Sequence, residues 1–163
     1  MNLQPRIERI ESRQVIGMKV HMNLANHKTQ ELWRGFMPRR RDIEHVKGNE
    51  LVSISVYDHG LDFRQFTPLT FFDKWAAVEV TTVGKVPDGM ETYTIPGGLY
   101  AVFLYKGLLQ NFRETFDFIF KVWLPASAYT LDMQRPHFEI MGEKYSNTSP
   151  DSEEDIWIPV LEK

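Results

Sequence analysis

The stretch Ile95-Pro-Gly-Gly-Leu-Tyr-Ala-Val-Phe-Leu-Tyr-Lys-Gly107, the amphipathic run that follows it to Trp123-Leu-Pro125, and Arg135-Pro-His-Phe-Glu139 together decide the fold. Pro96-Gly97-Gly98 is turn chemistry, and Gly107 closes the segment that the turn opens. Leu99 to Tyr105 is apolar at both odd and even positions, so it predicts a strand covered on both faces. The run Leu108 to Trp123 predicts a helix. At 100° per residue, Leu108, Leu109, Phe112, Phe116, Ile119, Phe120 and Trp123 share one face, with Phe118 and Val122 at its flank. Gln110, Arg113, Glu114, Asp117 and Lys121 gather opposite. An apolar arc that wide is either a deeply buried helix or one that packs on a sheet with part of its face and lines an aromatic pocket with the rest. Pro125 predicts that the helix stops at Leu124.

Upstream, Gln14, Ile16, Met18, Val20 and Met22 alternate with Val15, Gly17, Lys19 and His21, a half-buried strand. Met1 to Glu11 reads as a polar lead without a signal-peptide core. Asn26 or Thr29 can cap a helix whose apolar face is Leu32, Trp33, Phe36 and Met37 and which Pro38 breaks. Arg39-Arg40-Arg41 then reads as a solvated, basic helix end, with a grip on phosphate as the alternative. Val52 to Tyr57 and Lys74 to Val83 are two further strands, separated by a loop region from Asp58 to Thr70. Downstream, His137 to Tyr145 and Asp155 to Leu161 are strands around an Asn147 to Glu154 loop rich in Ser, Asp and Glu. Strand–helix–strand–strand therefore occurs twice within one domain spanning 1–163, over about residues 10–84 and 90–163. That order predicts an α+β fold, an antiparallel sheet with two main helices on one face.

Composition narrows the function. A net charge of -3 gives no global field for nucleic acid or an anionic membrane. With no Cys there is no disulfide, thiolate metal site or thiol nucleophile. No apolar run reaches membrane-spanning length, and the expected location is cytoplasmic. The five His show no metal-ligand spacing, and no phosphate-cradling Gly loop or nucleophile elbow occurs, so neither metal nor cofactor is expected.

The motif from Pro96 to Gly107, the helix ending in Trp123-Leu-Pro-Ala-Ser-Ala-Tyr129, Pro136-His-Phe-Glu139 and the terminal Asp155-Ile-Trp-Ile-Pro-Val160 occur in that order. In this the chain resembles the GyrI-like small-molecule-binding domain, the effector-binding domain of AraC-type and MerR-type regulators. Over residues 10 to 84 the resemblance rests on element order and Trp33. It implies a cleft between the two helices over a continuous sheet, a buried acid in that cleft, and binding of a small hydrophobic, often cationic molecule. Ala128 stands where the family carries Gly. About a dozen residues precede the first strand, too few for a helix-turn-helix, so the standalone form without direct DNA binding is expected.

Glu139 corresponds to the family's cleft acid. Alternation puts it on one face with His137 and Met141, opposite Phe138 and Ile140. A carboxylate among rings needs a partner, which a ligand cation can supply. The alternatives are an internal Arg, His or Tyr partner, or water. Trp123, Tyr57, Trp33, Tyr100, Trp157 and Trp75 are the ring candidates for the cleft wall, each with ordinary core packing as its alternative. Glu154 and Asp155 stand where some family members carry a second acid; the alternative is a solvated acidic loop. A small-molecule sensor is the first reading. A hydrolase using Glu139 as general base and a gyrase-inhibitor-type interaction module with an acidic face at Ser152-Glu153-Glu154-Asp155 are the other two. Apolar outer strands leave room for a homodimer.

Overall fold

A computed structural model of the chain describes residues 3–107, 112–146 and 148–163. Its strands are β1 (Arg6–Ile10), β2 (Arg13–Met22), β3 (Leu51–Val56), β4 (Phe72–Val80), β5 (Glu91–Ile95), β6 (Gly98–Lys106), β7 (Tyr129–Leu131), β8 (His137–Met141) and β9 (Glu153–Glu162). They form one antiparallel sheet in the order β1-β6-β9-β8-β3-β4-β2-β5, with β7 pairing the far end of β9. Helix α1 (Thr29–Phe36) follows β2, and helix α2 (Phe112–Phe118) follows β6. The strand–helix–strand–strand sets β2-α1-β3-β4 and β6-α2-β8-β9 thus lie side by side, joined where β3 pairs with β8.

The connections force this sheet to curl. Pro96 and Gly97 alone join β5 to β6, and Glu11 and Ser12 alone join β1 to β2. Yet β5 ends the strand order while β6 stands second in it. In a flat sheet at ~4.8 Å per strand they would lie ~29 Å apart. A link of two residues spans at most ~11 Å. The ends of the sheet therefore bend toward one another, and the concave face closes on itself. Val15, Val52, Ile54, Trp75, Ala77, Ile95, Tyr100, Val102, Phe138 and Trp157 fill that face without any helix.

The helices cover the convex face. Leu32 and Phe36 of α1 pack on Ile16, Ala76, Val78 and Val80. Ile119, with Phe112, Phe120 and Trp123, packs on Ala101, Phe103, Ile156 and Ile158. A buried guanidinium ties the second half together. Arg135 pairs with Asp132 at 2.8 Å and donates to the carbonyls of Leu99 and Val160, each at 2.8 Å. It also lies 4.7 Å from the Tyr100 ring centre. Gly98 makes room for it: a Cβ there would sit 2.6 Å from Arg135 Nη1, on a backbone with φ 139°.

Several expectations need correction. Met1 to Glu11 is not merely a polar lead, because Arg6–Ile10 pairs with β6. Strands β5 and β7 were not expected either; both are stabilised by pairing with distant strands, to which local alternation is blind. Strand β4 ends at Val80 rather than Val83, and β8 at Met141 rather than Tyr145. Pro125 does not end the helix at Leu124. The backbone widens into a π-helical stretch over Ile119–Trp123 and continues through a last turn, Leu124–Ala126, whose opening position tolerates proline. Leu108, Leu109 and Gln110 lie outside the described residues. Pro38 does stop α1, which passes into a 3-10 helix at Met37–Asp42. Neither Asn26 nor Thr29 caps α1; its N-cap residue is Lys28, without a side-chain bond. No helix among the described residues is long and apolar enough to cross a membrane.

Removing the Arg135 side chain would leave Asp132 and two carbonyls without their buried donor. The side chains of Arg135 and Asp132 are only 8% and 13% exposed. Arg135→Ala is expected to destabilise the fold by about 3–5 kcal/mol, read as a fall in the urea midpoint.

Candidate functional site

The two halves meet over small side chains. Ser53 stands opposite Glu139 and Ser55 opposite His137 across the β3–β8 pairing. On the helical face these strands present Ser53, Ser55, His137, Glu139 and Met141, so the floor between the helices is low and polar. β4 adds Lys74, whose ammonium donates to Ser55 Oγ at 3.1 Å and lies 3.7 Å from Glu139 Oε2. The two charged side chains are 12% and 19% exposed. β9 adds Glu154, which is 6% exposed. Burial, with the negative charge of Glu139 next, pushes the Glu154 carboxyl up to about 8, against the opposing pull of Lys74. Burial and the same two carboxylates also raise the Tyr145 hydroxyl.

Aromatic rings crowd this floor. Tyr57 meets Phe63, Phe72 and His137 at centroid distances of 4.8, 5.1 and 5.0 Å. Phe63 stacks on His137 at 5.2 Å and on Phe120 at 5.4 Å. Phe120 in turn meets Phe116 at 4.8 Å. The rings come from both halves and from the Asp58 to Thr70 connection, where Asp62 caps a single 3-10 turn at Phe63–Gln65. Burial, with the Lys74 charge second, pushes His137 down to about 3, so its imidazole is neutral at physiological pH and serves as one more ring. Its Nδ1 is buried without a hydrogen-bond partner.

Of the residues expected at the site, the fold brings Glu139 and Tyr57 together on this face. Burial is the main cause that raises the Tyr57 hydroxyl, and the charge of Glu139 adds to it. The partner of Glu139 is neither Arg, His nor Tyr but Lys74. Trp33 packs edge-on against Phe36 at 5.8 Å, over the α1 core. Trp123 meets Phe103 at 5.1 Å and Tyr129 at 6.3 Å, toward β7. Tyr100, Trp157 and Trp75 lie in the concave core, on the opposite face from Glu139. Ser152 to Asp155 is not a free acidic face. Glu154 is buried, Glu153 pairs with Lys144 at 3.4 Å, and Asp155 pairs with Arg6 at 3.1 Å.

Lys74, Phe63, Phe66, Phe72 and Phe120 also gather around Glu139 and Tyr57, Phe66 at 5.9 Å from the Tyr57 ring, and the sequence reading names none of them as site candidates. Lys74 carried a legible signal: it shares parity with Ala76, Val78 and Val80, a lone cation in an otherwise apolar row on the face that the helices cover. The rings of the 58–70 connection carried none, because loop residues have no period to place them. Two open cavities lie outside the ring cluster. One of about 200 Å³ is lined by Leu104, Tyr105 and Thr115 among others; one of about 460 Å³ is lined by Glu50, Ile140, Lys144 and Glu154 among others. Among the described residues no three His, Asp or Glu are placed to hold a metal ion.

The fold recurs in known proteins. The chain is 27% identical over 160 residues to the transcriptional regulator BrlR of Pseudomonas aeruginosa, covering 98% of this chain and 56% of that one. It therefore spans about half the length of that curated relative. The EcmrR C-terminal domain superposes with a TM-score of 0.74 at 13% identity, over 100% of both chains. SAV2435, solved bound to tetraphenylphosphonium, superposes with a TM-score of 0.70 at 17% identity, over 97% of this chain and 94% of that one. At those identities the superpositions establish the fold. The model of the GyrI-like small molecule binding domain matches residues 3–161, so the chain belongs to that family, related to the effector domains of transcription regulators.

Proposed function

We propose that the cleft between the helices binds a small aromatic cation, with Glu139 as its counter-ion and Tyr57, Phe63, Phe120 and His137 as its ring wall. One observation carries this reading: the half-buried Glu139 carboxylate and the buried, largely protonated Glu154 share a single ammonium, Lys74, beside neutral rings. A buried carboxylate without a full partner is costly, and a positive ligand relieves that cost. Ring faces add cation–π attraction of ~0.5–2 kcal/mol per favourable contact. The phosphonium held by SAV2435 has this character, a delocalised cation sheathed in rings. In this structure the rings of Phe63, Phe120 and His137 meet one another across the cleft, so a ligand enters by parting them. Phe63 is the ring best placed to move, because it rides on the 58–70 connection rather than on a strand.

Tetraphenylphosphonium is the probe for the test. Glu139→Gln is expected to weaken its binding about tenfold, or ~1.4 kcal/mol, in isothermal titration. Unchanged affinity in that variant would remove Glu139 from the site. A second outcome concerns charge alone. The Glu154 carboxyl is raised from 4.5 to about 8 in the fold, so the folded chain holds a proton that the unfolded chain releases. Stability is then highest below the unfolded value and falls as pH rises toward 8, by up to ~1.4 kcal/mol per pH unit. Urea unfolding from pH 5 to 8 should show that decline in the wild type relative to Glu154→Gln. Parallel profiles would mean that Glu154 titrates normally.

A further inference from the structure

We propose that Lys74 is a resident counter-ion whose displacement sets the ligand selectivity of the cleft: a cation reaches Glu139 only by moving the Lys74 ammonium aside. The inference rests on the binding reading above and deepens it. Lys74 stands on the helical face of β4 in line with Phe72, Ala76, Val78 and Val80, every one of them buried. An ammonium in such a row has to be paired. Its pairing is nevertheless loose. The 3.7 Å separation from Glu139 is too long for the charge-assisted hydrogen bond that the 2.8 Å Arg135–Asp132 pair makes, and the hydrogen bond that Lys74 donates goes to the neutral Ser55 hydroxyl. Arg135–Asp132 is thus a tight ion pair braced by two backbone carbonyls, and Lys74–Glu139 is a slack one over small serines at the meeting line of the two halves.

The slack pair has room to rearrange. Glu154 lies within electrostatic reach of both Lys74 and Glu139; when a ligand takes Glu139, the Glu154 carboxyl gives up its proton to solvent and the ammonium turns toward the carboxylate so formed. Lys74 already supplies the positive charge that a simple ammonium ion would bring. Such an ion gains little by exchange with it. A cation sheathed in aromatic rings gains the ring contacts as well, and so prevails. A neutral aromatic molecule leaves the Lys74–Glu139 pair in place and does not compete with it. Lys74 thus lowers the affinity for cations selectively, and without it the preference for positive ligands should sharpen.

The test titrates the full chain with tetraphenylphosphonium and with the neutral triphenylphosphine oxide. Wild type, Lys74→Met, Lys74→Gln, Lys74→Arg and Glu139→Gln are compared, and folding is checked by circular dichroism. Lys74→Met or Lys74→Gln is expected to bind the phosphonium at least tenfold tighter than wild type, with affinity for the oxide within twofold. Lys74→Arg, which keeps the charge, is expected to stay near wild type. Equal or weaker phosphonium binding by the uncharged variants, beside a wild type that binds through Glu139, would overturn the role of Lys74 and leave the binding site standing. A tenfold gain in Lys74→Arg as well would also overturn it, since charge would not be the cause. A wild type that binds the phosphonium as well as Glu139→Gln does would overturn the site itself. No binding by any of the proteins would overturn both readings.

Discussion

Two short links govern this molecule. Because Glu11-Ser12 and Pro96-Gly97 each bridge strands that stand far apart in the sheet order, the sheet cannot lie flat. The concave side becomes a sealed core of its own, rich in Trp, Tyr and Phe. The helices are then free to cover the convex side in two separate patches, α1 over β2 and β4, α2 over β6 and β9. The seam between the patches falls over β3 and β8, where the side chains are two serines, a histidine and an acid. The polar seam between the helices, where binding is proposed, is thus a consequence of how the sheet closes.

The charged residues sort by geometry into two kinds. Arg135 is enclosed by Asp132 and two carbonyls, and its five donors in a planar fork suit that cage. It holds β6 and β9 in place. Lys74, a compact ammonium on a flexible stem, has one hydroxyl and one distant carboxylate. Glu154 adds a second acid, held high by burial and by its neighbour. The rigid cation braces two strands of the sheet, and the slack one has freedom to rearrange, which is the freedom the proposed binding role of Lys74 calls on.

Much of this was legible in the residues. Pro96-Gly97-Gly98 marked the turn into the central strand, and the space that Gly98 leaves is filled by Arg135, itself in the same quoted stretch. The α+β class and the two helices on one face followed from element order. Alternation placed Glu139 on the face of His137 and Met141, where the structure has it. The tryptophans were a poorer guide. Trp75 and Trp157 are as aromatic as any ligand wall, but their parity sends them to the concave core, and parity distinguishes two faces without saying which one is open.

By itself the sequence determined the order of β2, β3, β4, β6, β8 and β9 and of the two main helices, several of the turns between them, and which residues share a face, because these depend on neighbours a few positions apart. Only the tertiary structure decided which faces meet. Lys74 and Glu139 are 3.7 Å apart across β3, and β1 earns its place by pairing with β6. Such encounters depend on contacts between residues far apart along the chain, and on the way a closed sheet folds them over one another, which no local period encodes.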